Sequence, residues 1–247
     1  MVSEQSVNSV VSKPEKRRRN SDLTRVNIIA VATEEFADKG FAGARVDEIA
    51  TKTHTTKRMI YYYFTDKEGL YKSVLEHAYS VIRAQERELD LEGLNPTAAV
   101  RALAELTFDH HEQHPNFIRL VANENMLRGE HIEKSELLSG LGAPAADLVS
   151  QILHDGQQSG AFRSDVDALD IHMLISSYCV FRIANRYTFK ALFDRDLTDS
   201  THREHLRTML GDMVVAFLTS KAPSDLPRSP KNPPTVVSGT HSCHREE

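Results

Sequence analysis

Residues Arg45 to Leu70 read RVDEIATKTHTTKRMIYYYFTDKEGL. Val46, Ile49 and Ala50 recur at i, i+3, i+4, the spacing of one apolar helix face, and Ile60 and Phe64 repeat it after a break at Thr53 to Thr56. This predicts two short helices joined by a tight polar turn. The second, Lys57 to Phe64, carries Lys57, Arg58, Tyr61 and Tyr62 at positions that packing does not need. A basic helix tipped with aromatic rings is what a protein offers to double-stranded DNA.

The flanks supply what such a unit packs against. Upstream, Val26, Ile29, Ala30, Thr33 and Phe36 predict a helix of about four turns that begins near Asp22 or Thr24 and stops at Gly40. Phe36 and Phe41 then provide the aromatic centre on which Ile49, Ile60 and Phe64 close. Downstream, Thr65 as N-cap and Glu68 three residues later read as a capping box. Leu70, Val74, Leu75, Ala78, Val81 and Ile82 continue as a long helix to about Leu89, before Gly93 and Pro96. Residues 1–21 lack periodicity and end in KRRRN, so they are expected to form a disordered basic arm, either lying along a DNA groove or simply solvated.

The chain has 247 residues, 40% hydrophobic and 26% charged, ordinary soluble composition with room for two domains. Its net charge is −5, but residues 1–77 carry 13 Lys and Arg against 11 Asp and Glu, so basicity is local. The cluster Lys13, Lys16 to Arg19 and the pair Lys57, Arg58 weigh more than the total. Cys179 and Cys243 lie in unlike contexts, which argues against a disulfide framework or a metal cluster and fits a reducing cytosol. With no apolar run of the length a membrane span needs and no signal-peptide core, a cytoplasmic location is expected.

The pattern I28-I29-A30-V31-A32-x3-F36-x3-G40-F41, V46-D47-E48-I49-A50 and T56-K57-R58-M59-I60-Y61-Y62-Y63-F64-x2-K67-E68-x-L70 resembles the N-terminal domain of tetracycline-repressor-type (TetR) regulators. It departs from the family in the turn, where Thr53, His54 and Thr55 replace the usual small and apolar residues. The resemblance implies that Arg45, Thr56, Lys57, Tyr61, Tyr62 and Lys67 contact phosphates, with Arg58 and either Thr55 or Met59 near base edges. The chemistry agrees, since Lys and Tyr hold the backbone in register while an Arg over the groove can make a bidentate contact to guanine. Tyr63 is read as packing.

Residues 97 to about 220 read as helix throughout, with breaks expected at His114-Pro115, Gly129, Gly140 to Pro144, Gly156 to Gly160 and Asp194 to Thr201. The stretch I152-L153-x2-G156-x3-G160-x-F162-R163-x-D165 resembles a turn in TetR-type effector domains. His110 and His114 share a helix face at the i, i+4 spacing of a zinc-protease motif, but His111 stands where that motif needs Glu, and no nucleophile-plus-base constellation is visible, so neither metal, cofactor nor enzymatic chemistry is expected.

The expected architecture is therefore all-α. A helix-turn-helix DNA-binding domain spans residues 22–70, a helical effector-binding and dimerisation bundle residues 71–221, and a disordered Pro-rich tail residues 222–247. The stripes Leu169, His172, Met173, Ser176, Cys179, Val180, Ile183 and Leu206, Met209, Leu210, Met213, Val214, Phe217 on the last two helices, about 168–190 and 202–219, predict a homodimer and hence palindromic operator DNA. For a small-molecule effector the candidate residues are Phe108, Arg119, Asn123, Tyr178, Arg182 and Asn185, with an arginine clamping an aromatic or heterocyclic carboxylate under aromatic rings. The alternatives are a neutral ligand, with Arg119 and Arg182 paired to Glu124, Asp109 or Glu105, and a nucleoid or division-site factor with no effector.

Overall fold

The computed structural model describes residues 13–221; residues 1–12 of the expected arm and the whole expected tail, with Cys243, lie outside the described residues. Among the described residues there are eleven α-helices and no strand: α1 (Lys13–Gly43), α2 (Val46–Lys52), α3 (Lys57–Phe64), α4 (Lys67–Glu88), α5 (Pro96–Gln113), α6 (Pro115–Met126), α7 (Glu130–Glu133), α8 (Glu136–Gln158), α9 (Ala168–Ala184), α10 (Arg186–Phe193) and α11 (Ser200–Thr219).

One core joins α1 to α4. Ile28, Phe36, Ile49, Ile60, Leu70 and Tyr71 are fully buried in it, and Tyr71 meets Phe36 edge-on at 4.9 Å between centroids. Val74 and Leu75 belong to the same core, as do Leu120 of α6 and Leu138 of α8, so α4 packs with both halves of the molecule. A second core is built by Val100, Phe108, Ile171, Cys179, Leu210 and Val214 from α5, α9 and α11, with Val149 and Leu153 of α8. Between α5 and α11, Arg203 and Arg207 reach Asp109 at 2.6 and 3.2 Å.

Several sequence expectations are corrected. Helix α1 starts at Lys13, not near Asp22, because the charged residues before it are good helix formers and Ser21 Oγ meets Tyr63 Oη at 3.1 Å. Its buried stripe is Ile28, Ile29, Ala32 and Phe36, whereas Val26 is 61% exposed. The N-cap of α4 is Asp66, not Thr65: Thr65 takes φ 68°, so the Asp66 carboxylate accepts from Gly69 N at 2.7 Å. Glu68 pairs with Lys72 instead of closing a capping box.

The expected break at Gly140 to Pro144 is absent. Helix α8 runs through it because packing against α4, α5 and α9 outweighs the local cost of Gly and Pro. The expected single helix 168–190 is instead two, divided at Asn185.

Candidate DNA-reading face and effector cavity

The turn between α2 and α3 is held from within. Thr53 Oγ1 donates to the Ile49 carbonyl at 2.8 Å, Thr55 N to the Ala50 carbonyl at 3.0 Å, and His54 takes φ 52° in the left-handed region. Thr56 then caps α3 by accepting from Met59 N at 3.2 Å. With Ile60 and Phe64 buried, α3 turns Lys57, Arg58, Met59 and Tyr62 outward, Tyr62 at 78% exposure. Lys57 Nζ lies 3.2 Å from Asp47 Oδ2, while Arg58 makes no hydrogen bond or ion pair within the described residues.

Glu35 fastens this unit to α1. Its buried carboxylate takes Lys39 at 2.8 Å and Lys52 at 3.0 Å, and accepts from Arg45 N at 3.4 Å, so both ends of α2 are tied to one side chain. Burial pushes the Glu35 pKa up, but Lys39 and Lys52 outweigh it and the net shift is downward.

In the helical bundle, a cavity of about 190 Å³ lies between α4, α5, α6, α8 and α9. Its polar wall is Tyr79, Arg83 and Glu86 from α4, Thr107 and His111 from α5, and His172 and Ser176 from α9; Phe117, Ile118 and Val121 of α6 form an apolar side. Arg83 is 7% exposed, its Nη1 lies 2.6 Å from Glu86 Oε2, and its Nε–H has no partner among the described residues. Burial pulls Arg83 down and pushes Glu86 up, both toward neutrality, with their mutual attraction opposing. His111 is held neutral by burial, its pKa pushed down to about 4, and it sends its Nδ1 proton to the Thr107 carbonyl at 2.8 Å. His172 is shifted the same way for the same reason.

Residues 28–74 match the family model described as bacterial regulatory proteins, tetR family, and residues 96–214 match the tetracyclin repressor-like C-terminal domain. The chain is 35% identical over 202 residues to the transcriptional repressor NicS of Pseudomonas putida, covering 82% of this chain and 95% of that one. It belongs to the TetR family. As a TetR-family chain it is a DNA-binding transcriptional regulator. It is also 30% identical over 161 residues to the repressor SCO4008 of Streptomyces coelicolor, 64% of this chain and 77% of that one. A crystal structure of the regulator SCO4942 from the same organism superposes with a TM-score of 0.60 at 30% identity, covering 77% of this chain and 97% of that one.

Within this TetR-family fold, Arg45, Thr56, Lys57, Arg58 and Tyr62 are exposed around α3, while Thr55 and Tyr61 are half-buried. Lys67 turns back: its Nζ donates to the Ala42 carbonyl at 3.3 Å and sits 5.0 Å over the Phe41 ring, and burial lowers its pKa.

The effector residues expected from sequence do not converge. Phe108 is fully buried beneath the Arg182 guanidinium, 3.9 Å from its ring centroid. Arg182 Nη1 donates to Glu112 and to the Leu197 carbonyl, both at 3.1 Å, and Tyr178 Oη to the Leu206 carbonyl at 3.1 Å. Tyr178 and Arg182 line an open apolar groove on the outer side of α9 and α11. Asn185 ends α9, Arg119 faces Asp38 of α1 at 3.8 Å, and Asn123 donates to α1 carbonyls. None of the six lines that cavity: Tyr178 and Arg182 face the groove toward α11, and the polar face of α6 is spent on α1.

The cavity's polar residues that sequence reasoning did not single out are Tyr79, Arg83 and Glu86. Their signal was present: three polar side chains at i, i+4, i+7 on a helix whose apolar stripe, Leu75, Ala78, Ile82, lies on the same side. The histidines His110, His111 and His114 gather around Phe117, and among the described residues no group of three or more His, Cys, Asp or Glu can hold a metal ion. No described helix is long and apolar enough to cross a membrane.

Proposed function

We propose that this chain is a repressor released from a palindromic operator by a small aromatic or heterocyclic carboxylate bound at Arg83. The observation that carries the reading is the buried Arg83, with an unpartnered N–H, in a cavity walled by α4. Glu86 engages only one edge of the guanidinium, at Nη1, so a hydrogen-bond acceptor for the remaining N–H is the group the cavity lacks, and a ligand carboxylate is the acceptor that suits a guanidinium best. Phe117 and Tyr79, edge to face at 5.1 Å, supply the apolar sides for a flat ring.

The same helix carries the response. Leu70, Tyr71 and Val74 of α4 lie in the DNA-binding core, two to four turns from Arg83, so a ligand that prefers one position of α4 shifts α3 with it. A coupling of about 1–3 kcal/mol gives a change in operator affinity of roughly 5- to 150-fold.

Calorimetric titration with benzoic acid and benzamide, on wild type and on Arg83→Gln, tests the reading, with Arg182→Ala as the contrasting variant. The acid should bind wild type and Arg182→Ala, fail on Arg83→Gln, and weaken operator binding in a gel shift. Equal binding of the amide, or unchanged binding by Arg83→Gln, overturns the carboxylate; operator binding insensitive to any bound ligand favours a DNA-binding protein without an effector.

A further inference from the structure

A second hollow of about 280 Å³ adjoins the cavity and shares Tyr79, Arg83 and His172 with it. Its far wall is α8. Along that helix Leu138, Gly142, Ala146, Val149 and Leu153 follow one another at helical spacing on one face, and Leu138, Val149 and Leu153 are buried. At the level of Arg83 the stripe drops to Gly142 and Ala146, both lining the hollow, and a Cβ placed on Gly142 would meet nothing within 4 Å. Nothing in the backbone requires glycine there, since Gly142 is an ordinary helical residue without a positive φ, and glycine inside a helix costs about 1 kcal/mol relative to alanine. Gly142 is exposed and Ala146 half-buried, so the hollow beside the charged waist opens to solvent along this helix.

We infer that this hollow is a second compartment of the effector site, and that Gly142 and Ala146 set the length of the acid the protein accepts. The inference rests on the carboxylate reading of Arg83. With the acid group at the waist formed by Tyr79, Arg83 and His172, a ring in one compartment leaves the other for an apolar substituent, against Ile132, Leu138 and Leu169. The inner compartment alone is smaller than the 300–1,000 Å³ usual for ligand sites, which is a further reason for the site to include both.

The test is calorimetric titration of benzoic acid and 4-propylbenzoic acid, and of their amides, on wild type, Gly142→Ala, Gly142→Leu and Ala146→Leu. Wild type should bind the propyl acid more tightly than benzoic acid, by up to about fourfold for each methylene buried. Gly142→Leu and Ala146→Leu should lose the propyl acid by at least about tenfold, the loss of two or more such methylenes, while benzoic acid stays within about twofold. Gly142→Ala separates helix propensity from filling: the ligand-free Leu variants should melt no lower than Gly142→Ala.

If both acids lose affinity alike in the Leu variants, or wild type binds the propyl acid no better than benzoic acid, the compartment is overturned. A ligand-free Gly142→Leu that melts well below Gly142→Ala shows there is no space and overturns it too. Amides binding as well as acids, with the same loss of the propyl member, overturns the carboxylate and leaves the compartment standing. No binding by any member overturns both.

Discussion

Asn123 of α6 donates from Nδ2 to the Phe36 carbonyl of α1 at 3.1 Å and lies 3.4 Å from the Ala37 carbonyl. Helix α1 kinks at Gly40, where φ is 68° and ψ 174°, so those carbonyls lie in the last turn before the kink, where helix carbonyls commonly need partners from outside the helix. The effector half of the molecule therefore finishes a helix of the DNA-binding half. The opposite side of α6, through Phe117, Ile118 and Val121, walls the cavity. Asn123→Ala should lower stability by about 1–3 kcal/mol by leaving the carbonyls unsatisfied. It should also reduce the effector-dependent change in operator affinity while leaving effector affinity near wild type. Paired titrations of effector and operator check this, and an unchanged ratio would confine Asn123 to stability.

Arg58→Ala is expected to lose about 1–3 kcal/mol on the preferred operator and to relax base preference, whereas Lys57→Ala weakens all sequences alike. The structure gives the reason for the contrast, since Arg58 is exposed and unpaired among the described residues while Lys57 is already turned toward Asp47. Competition binding with operators mutated one position at a time separates the two. Equal losses on every operator for Arg58→Ala would reduce it to a phosphate contact.

The family pattern over residues 28–70 made the DNA-binding half legible, because each apolar position there also serves one small core, as Ile49, Ile60 and Phe64 do. The cap of α4 escaped because Thr65 and Asp66 are both good capping residues, and only the positive φ at Thr65 decides between them. In the bundle, sequence spacing placed Arg119 and Asn123 together correctly but could not tell which neighbour their shared face meets, and that neighbour is α1. Arg83 was passed over for a related reason, although its spacing with Tyr79 and Glu86 was visible. A charged residue on a long amphipathic helix reads as solvated, and only tertiary packing buries it.

Glu35→Gln should cost about 1.5–3 kcal/mol, the range for hydrogen bonds to a charged group, and should change the response to acid. The folded-state pKa of Glu35 is lowered, so its contribution is present above the unfolded carboxylate value near ~4.3 and is lost as pH falls through the folded value. Wild type should thus lose stability relative to Glu35→Gln as pH drops below about 4.3, and chemical denaturation at pH 7 and pH 3 measures the convergence. A difference that is the same at both values would show that the carboxylate charge is not what holds α2.

Gly156→Ala should destabilise the bundle by at least about 1–3 kcal/mol, the usual cost of overpacking. A Cβ there would stand 1.9 Å from the Phe162 ring, and Phe162 is 6% exposed, so there is nowhere for it to retreat. The turn is pinned besides by Gly160 at φ 73° and by Arg163 N donating to the Leu218 carbonyl at 2.8 Å. Thermal melting of Gly156→Ala beside Gly140→Ala, whose Cβ meets nothing within 4 Å, checks the contrast.

The outer faces of α9 and α11 lead to the last expectation. Leu206, Leu210 and Val214 are buried within one chain, so only part of each predicted stripe remains for a second. Leu169 at 50%, Met173 at 65%, Met213 at 38% and Phe217 at 37% exposure remain of those stripes, and Phe181, at 50% exposure, joins Met213 in lining an apolar groove of about 590 Å³. Exposed apolar side chains this close together favour pairing with the same face of a second copy, giving a four-helix interface about a twofold axis. Two α3 helices would then read half-sites roughly 34–36 Å apart, or stretched to match the span. Met173→Glu combined with Met213→Glu should give a monomer in light scattering at micromolar concentration, with a fold unchanged by circular dichroism. The variant should lose the full palindrome and keep only weak affinity for a half-site. A wild type that is monomeric at that concentration, or that binds a single half-site as tightly as the palindrome, would overturn the pairing.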